Sequence, residues 1–274
     1  MEAAVSRIEV DPQFPHNIAK AELAAQFAGA LGAVELEVPI RTVASADLVL
    51  RLSTADDVFP RERSELLSRT VNVAIAGLAL VILAPVMAVI ALAIMLTSSG
   101  PVIYKQSRVG LDRRYRRKRT DDRRSYDHGG KLFQMYKFRS MRMDAEHDGR
   151  AVWASQNDPR VTAVGAVLRK TRLDELPQLI NVIKGDMNIV GPRPERPSIF
   201  AKLRQDIPHY PVRQRVKPGI TGWAQVNQPY DSCVDDVRRK VHYDLEYLKK
   251  QCMLEDLRIM SMTLPVMLFR RGGW

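Results

Sequence analysis

The sequence predicts a mixed, helix-rich α/β domain with an N-terminal re-entrant membrane helix and interfacial amphipathic helices. Three observations point to it. A single apolar run, residues 71–96, is long enough to reach across a bilayer core and has basic residues on both sides. From Lys131 on, short strand-like and helix-like segments alternate between Pro- and Gly-containing loops. The 274 residues are 46% hydrophobic and carry a net charge of +11, enough apolar material for one sizeable core and an excess of cations that suits an anionic partner. That partner class comprises nucleic acid, acidic lipid headgroups and phosphorylated substrates. Cys233 and Cys252 stand in no CxxC or His-rich setting, which argues against a zinc centre or a disulfide framework.

Three regions follow. Residues 1–65 form an extension of unknown role. Ala21 to Ala33 has the spacing of a short amphipathic helix, Val34 to Leu52 that of one or two strands, and the segment shows no chemistry and no cleavable leader. Residues 66–100 hold the membrane-embedded helix. Apart from Asn72, residues 71–96 are apolar, Gly77 or Pro85, and Pro85 near the centre predicts a kink. Hydropathy alone reads as a kinked spanning helix. The flanks read otherwise: Arg61, Arg63 and Arg69 precede the run, and Lys105, Arg108 and the cluster from Arg113 to Arg119 follow it. Basic flanks stay cytoplasmic, so two of them fit a helix that enters, bends at Pro85 and returns to the same face.

Residues 101–274 form the cytoplasmic domain. The basic stretch 112–130 is either a solvated loop or a contact with anionic lipid. Leu132 to Phe138 predicts a strand; Ala163 to Arg169, Asp174 to Lys184 and Asp235 to Gln251 predict helices. The Met- and Leu-rich tail, Leu254 to Phe269, ends in Arg270, Arg271 and Trp274. It suits the membrane interface or a core helix equally.

Chemistry concentrates around Thr171-Arg172-Leu173-Asp174-Glu175-Leu176-Pro177-Gln178-Leu179. Asp174 is placed as a helix N-cap with Glu175 in the first turn, which alone explains both acids structurally. The surroundings favour more. A helix start holds a carboxylate ionised, as a carboxylate nucleophile requires, and two adjacent acids suit a divalent cation completed by water and phosphate oxygens. Lys137 and Arg139 lie in KFRSM, Arg169, Lys170 and Arg172 precede the pair, and Arg193 and Arg196 occupy the Pro-stiffened GPRPERP. Ionised acids, a metal and arginines together suit phosphoryl transfer.

In this order, GPVIYKQSRVG (100–110), KFRSM (137–141), NDPRVTAVGAVLRKTRLDELPQLINVIKGDMNIVGPRPERP (157–197) and VKPGITGWAQV (216–226) resemble the bacterial sugar transferases, the monotopic phosphoglycosyl transferases, over about residues 68–270. The resemblance implies a ping-pong reaction at the cytoplasmic face of the bacterial inner membrane. A sugar phosphate passes from a nucleotide sugar, by resemblance a UDP sugar, through a covalent aspartyl intermediate to polyprenyl phosphate, starting exopolysaccharide or related glycan assembly. It implies Asp174 as nucleophile and Glu175 as partner of Mg2+, with both acids forming the metal site. Lys137 and Arg139 would position phosphate or carboxylate, and Pro192, Arg193 and Pro194 would contact the nucleotide. Arg172, Lys217 and Asp244 join the substrate-binding set. Membrane lipids are further partners, and a homo-oligomer is left open. Two features depart from the family pattern: Ala84 stands where Ser often precedes the membrane proline, and the link between the first two motifs is longer than usual. The rival readings are a membrane-tethered nucleic-acid binder, for which no aromatic-interleaved basic face is found, and a metal-dependent phosphohydrolase, which would need no lipid acceptor.

Overall fold

The computed structural model describes residues 58–114, 127–145, 158–228 and 234–269, with residues 267–269 described by backbone alone. The expectations for residues 1–57, for the middle of the basic stretch, for Cys233 and for the residues after Phe269 lie outside the described residues.

Helix α1, Glu65–Thr97, begins where the Ser64 hydroxyl accepts a hydrogen bond from Leu67 N, and it runs without a break through Pro85. Pro85, where the kink is expected, lies inside this one continuous helix. Proline removes one backbone bond, and the neighbouring turns carry the helix past it. Only 11% of its most apolar stretch is buried, unlike the core helix of a soluble protein. Leu78, Val81, Ile82, Val89, Leu92 and Leu96 all face outward.

The side of α1 that is covered meets the domain at both ends. Near the start, Ala76 packs with Phe133, Met135, Leu179, Val182 and Met187. Near the finish, Ile90 and Ile94 pack with Phe138 and Leu168. Polar contacts reinforce each end. Arg69 donates to the Val182 and Ile183 carbonyls, and Asn72 accepts from Ile189 N at 2.7 Å. At the far end Arg139 donates to the Ser98 and Ser99 carbonyls, each at 2.7 Å. The lone polar residue of the apolar run thus has a structural partner.

Strands β1, Ile103–Val109, and β2, Leu132–Phe138, pair antiparallel, from Ile103↔Phe138 to Val109↔Leu132. The basic stretch is the connection of this hairpin, closed at its base by Gly110 N to Lys131 O at 2.9 Å and Lys131 N to Leu111 O at 3.1 Å. Helix α2, Ala163–Thr171, is capped by Thr162. Helix α3, Gln178–Lys184, lies against the outer edge of β2. There the buried Asn181 acts as a missing strand: its Oδ1 accepts from Tyr136 N at 3.0 Å and its Nδ2 donates to Gln134 O at 2.7 Å. An open edge of unpaired backbone groups is thereby closed by one side chain.

The larger core lies beyond α3. Strands β3, Asn188–Val190, and β4, Gly219–Thr221, pair in parallel, with Val190 opposite Thr221. A Cβ on Gly191 or Gly219 would collide with the other segment's backbone, which explains glycine in both GPRP and KPGITG. Around this pair pack α4 (Pro197–Asp206), a 3-10 segment (Tyr210–Arg215), α5 (Trp223–Asn227), α6 (Val234–Lys250) and α7 (Met253–Phe269). Phe200, Tyr210, Val241, Leu248 and Ile259 are among its fully covered members. In the tail helix α7, Ile259 is in the core, while Leu254, Leu257 and Leu264 are exposed.

Replacing Asn181 with Leu keeps the volume but leaves Tyr136 N–H and Gln134 C=O unpaired in a covered position. The expected loss is about 2 kcal/mol of stability, read by chemical denaturation of the purified protein. An unchanged midpoint would show that the β2 edge does not depend on this side chain.

Candidate active site

Helix α2 ends at Arg172, whose left-handed backbone (φ 57°) turns the chain directly into a 3-10 turn, Leu173–Glu175. Leu173 and Leu176 pack into the apolar cluster of Phe138 and Leu168, which fixes the turn. Asp174 and Glu175 sit between them and are both buried. This corrects the expected capping role. Asp174 lies inside the tight turn and caps nothing, because α3 starts only after Pro177, where a missing backbone N–H costs little.

Strand β2 brings Lys137 to the pair. Its Nζ is 2.8 Å from Glu175 Oε1 and 3.8 Å from Asp174 Oδ2. The loop after β3 brings Arg193, whose fork engages both Glu175 oxygens, Nη2 on Oε1 and Nη1 on Oε2 at 3.3 Å. The two acids are therefore unequal. Burial works against ionisation of Glu175, but Arg193 and Lys137 outweigh it and hold its carboxyl well below the usual range. Asp174 is raised, by burial and then by the negative Glu175 beside it, against the pull of Lys137, Arg193 and Arg169. A carboxylate with a raised pKa is more basic and a stronger nucleophile once deprotonated. Among the described residues Asp174 has no direct hydrogen bond, its closest cation being the Lys137 Nζ at 3.8 Å.

The loop carrying Arg193 is held by every carbonyl from Pro192 to Glu195. Pro192 O accepts from Gly219 N at 3.0 Å, Arg193 O from Arg213 Nη2 at 3.0 Å, Pro194 O from Arg108 Nη1 at 2.9 Å and Glu195 O from Val109 N at 2.9 Å. Two of these four donors are arginine side chains. Arg213 is completely buried and is balanced by Asp244 Oδ2 at 2.6 Å, with Glu195 Oε1 at 3.8 Å. Glu195, although burial opposes its charge, is brought down to about 2 by Lys240, Arg213 and Arg108. Burial lowers Arg108 to about 10, so it stays charged near neutral pH.

Of the residues expected at the site, Asp174, Glu175, Lys137 and Arg193 come together. Pro192 and Pro194 frame Arg193, Arg172 leads into the turn, and Asp244 acts at one remove through Arg213. Arg139 does not join them. It is buried, and its guanidinium closes the end of α1 through the Ser98 and Ser99 carbonyls. Lys217 lines a separate cavity with Arg61, Arg69 and Arg113. Sequence reasoning missed Arg108, Arg213 and Lys240, since buried arginines and lysines look like any others in a basic chain. Glu195, flanked by prolines in GPRPERP, did carry a signal.

The acid pair has the donor chemistry of a Mg2+ that keeps most of its waters and takes further oxygens from phosphates. Among the described residues no group of three His, Cys, Asp or Glu side chains gathers for a dedicated cage.

Comparison with known proteins comes to the same place. The family described as bacterial sugar transferase matches residues 63–270. The chain is 42% identical over 202 residues to the UDP-glucose:undecaprenyl-phosphate glucose-1-phosphate transferase of Escherichia coli, covering 73% of this chain and 40% of that protein. It is 39% identical to the UDP-N-acetylgalactosamine-undecaprenyl-phosphate N-acetylgalactosaminephosphotransferase of Aeromonas hydrophila, over 76% of this chain and 45% of the relative. A UDP-glucose:undecaprenyl-phosphate glucose-1-phosphate transferase of Caulobacter vibrioides is 36% identical, with 76% and 72% covered. The chain thus spans less than half the length of the first two.

The buried charges under the loop yield a stability test. Asp244→Asn removes the nearest counter-charge of a fully buried guanidinium, and a loss of about 3 kcal/mol is expected in equilibrium unfolding. Wild-type stability in that variant would mean that Arg213 is balanced elsewhere.

Proposed function

The chain belongs to the bacterial sugar transferase family, and from that premise we propose that it transfers a sugar 1-phosphate from a UDP sugar to undecaprenyl phosphate or a close polyprenyl phosphate. The observation that carries the mechanism is the division of labour within the acid pair. Glu175 takes the direct bonds of Lys137 and Arg193, while Asp174, raised in pKa and without a direct hydrogen bond among the described residues, keeps its oxygens for attack.

An Asp174 oxygen attacks the sugar-bearing phosphorus, the bond to the bridging oxygen breaks, and UMP leaves. The sugar phosphate is then held on Asp174 as an acyl phosphate. An oxygen of polyprenyl phosphate attacks the same phosphorus, the acyl phosphate bond breaks, and the carboxylate of Asp174 is restored. Lys137 and Arg193 supply positive charge around the transferring group, where positioning and charge stabilisation dominate such reactions. Glu175, with Asp174, would hold Mg2+, which when bound neutralises diphosphate charge. The anchored prolines fix where Arg193 meets the nucleotide diphosphate. The relatives' names differ in the sugar, so the shared residues serve the diphosphate and the lipid phosphate common to all of them.

The same proposal includes topology. Both ends of α1 pack on one domain, through Arg69 and Asn72 at the start and Ile94 and Ser98 at the finish. A helix crossing the bilayer would carry one end away from that domain. We infer a monotopic arrangement at the cytoplasmic face, with the exposed apolar side of α1 sunk in lipid and α7 at the interface. The cytosolic donor and the acceptor phosphate at headgroup level then meet at one depth.

Purified protein with polyprenyl phosphate and a panel of UDP sugars is expected to release UMP, and Asp174→Asn to lose turnover by at least about a thousandfold together with the covalent adduct. Full activity in Asp174→Asn would overturn the mechanism, and sustained UMP release without lipid acceptor would favour a hydrolase. Single cysteines at Glu62 and Lys202, in a background lacking Cys233 and Cys252, are both expected to resist a membrane-impermeant thiol reagent in intact cells. Labelling of Glu62→Cys alone would mean that α1 crosses the membrane.

A further inference from the structure

A second concentration of cations lies at the N-terminal end of α1. A cavity of about 540 Å3 is walled by Arg61, Arg63, Arg69, Arg113, Arg215 and Lys217, with Glu65 the one acid among its lining residues. Asp174, Glu175, Lys137 and Arg193 take no part in it. Three of its cations are held rigidly by the protein: Arg69 on the carbonyls ending α3, Arg63 on Asp256 at 2.8 Å, and Arg215 on the Val58 carbonyl at 2.7 Å. Among the described residues, the side chains of Lys217, Arg61 and Arg113 make no such bonds. Burial, and then the neighbouring Arg69 and Arg113, push Lys217 below the usual lysine range, which marks a place short of negative charge.

Two further observations bear on the ligand. Gln251 also lines the cavity and is buried. Its Nε2 donates to Arg61 O at 2.9 Å, while its Oε1 is covered and has no hydrogen-bond partner, so an unsatisfied polar atom lies behind the wall. Next to the cavity runs an apolar groove of about 160 Å3 between α1 and α7, formed by Leu67, Val71, Ile75, Leu257 and Met260, and Arg63 and Ser68 belong to both. Cationic head site and apolar groove therefore adjoin at Arg63 and Ser68, at the point where α1 meets lipid in the topology proposed above, on which this inference rests.

We propose that cavity and groove together bind an anionic glycerophospholipid. Its phosphodiester sits among Lys217, Arg61 and Arg113, and one acyl chain lies between α1 and α7. Free phosphate would leave the groove without purpose. A polyprenyl phosphate acceptor must bring its phosphate to Asp174, which does not line this cavity. The bound lipid ties the start of α1 to the headgroup layer and sets the depth at which the domain rides, and Lys217 becomes a lipid-binding residue.

The test titrates the full chain in a neutral detergent with dioctanoyl phosphatidylglycerol, dioctanoyl phosphatidylcholine, inorganic phosphate and polyprenyl phosphate, by calorimetry. Saturable binding of the phosphatidylglycerol is expected, with phosphatidylcholine and inorganic phosphate at least about tenfold weaker. Lys217→Glu should weaken the phosphatidylglycerol about tenfold or more and Lys217→Gln by less, and Lys217→Gln should unfold no earlier than wild type because it relieves like-charge repulsion. Equal binding by wild type and Lys217→Gln would overturn the proposal. So would inorganic phosphate binding as tightly as the lipid, or displacement of the phosphatidylglycerol by stoichiometric polyprenyl phosphate. UMP release measured in the same detergent separates the two readings. Turnover without saturable phosphatidylglycerol binding defeats only the lipid site, and lipid binding without turnover defeats only the assigned reaction.

Discussion

Two adjacent carboxylates buried in one tight turn are unstable unless cations come to them, and most of the domain can be understood as the means of bringing those cations. Glu175 is bonded by Lys137 and Arg193, which arrive from a strand and a loop distant in sequence. Lys137 is placed because β2 is pinned between β1 on one edge and Asn181 on the other. Arg193 is placed because the carbonyls around it are tied down, two by backbone N–H groups and two by arginine side chains. Prolines at 192 and 194 stiffen the loop but donate no hydrogen bonds, so its fixation depends on donors from outside.

That dependence explains the buried ionic network underneath. Arg213 can reach the Arg193 carbonyl only from a covered position, where a lone guanidinium is prohibitive. Asp244 and Glu195 supply the balancing charge, and Lys240 and Arg108 balance Glu195 in turn. Such a network need not stabilise the fold relative to an apolar core. Its clearest effect is to give the Arg193 carbonyl one position. The unequal pKa directions of Asp174 and Glu175 follow from the same placement, since the Arg193 fork bonds Glu175.

In the arrangement proposed above, helix α1 joins this site to lipid. Its contacts with the domain at both ends explain why a largely exposed apolar helix is punctuated by Asn72 and framed by Arg69 and Ser98. Each satisfies a backbone group at the end of another element, or has its own satisfied. The outward side chains between have no protein partner among the described residues and suit hydrocarbon.

Much was determined by local sequence. The apolar run, the β2 segment Leu132–Phe138 and the helices at 163–171 and 234–250 were legible from periodicity and composition, because those patterns express burial along a single element. The acid pair and the Pro-Arg-Pro loop were legible as motifs. Tertiary structure decided the rest. The turn holding Asp174 is a 3-10 segment set by the left-handed Arg172 and by the packing of Leu173 and Leu176. The partners of Arg139, Arg213 and Lys217 differ although all three are cations in a basic chain. Which cation meets which carboxylate, carbonyl or cavity depends on chain segments tens of residues apart meeting in space. Local spacing carries no record of that, because a charge has no periodicity and its energy depends on burial and on what it faces.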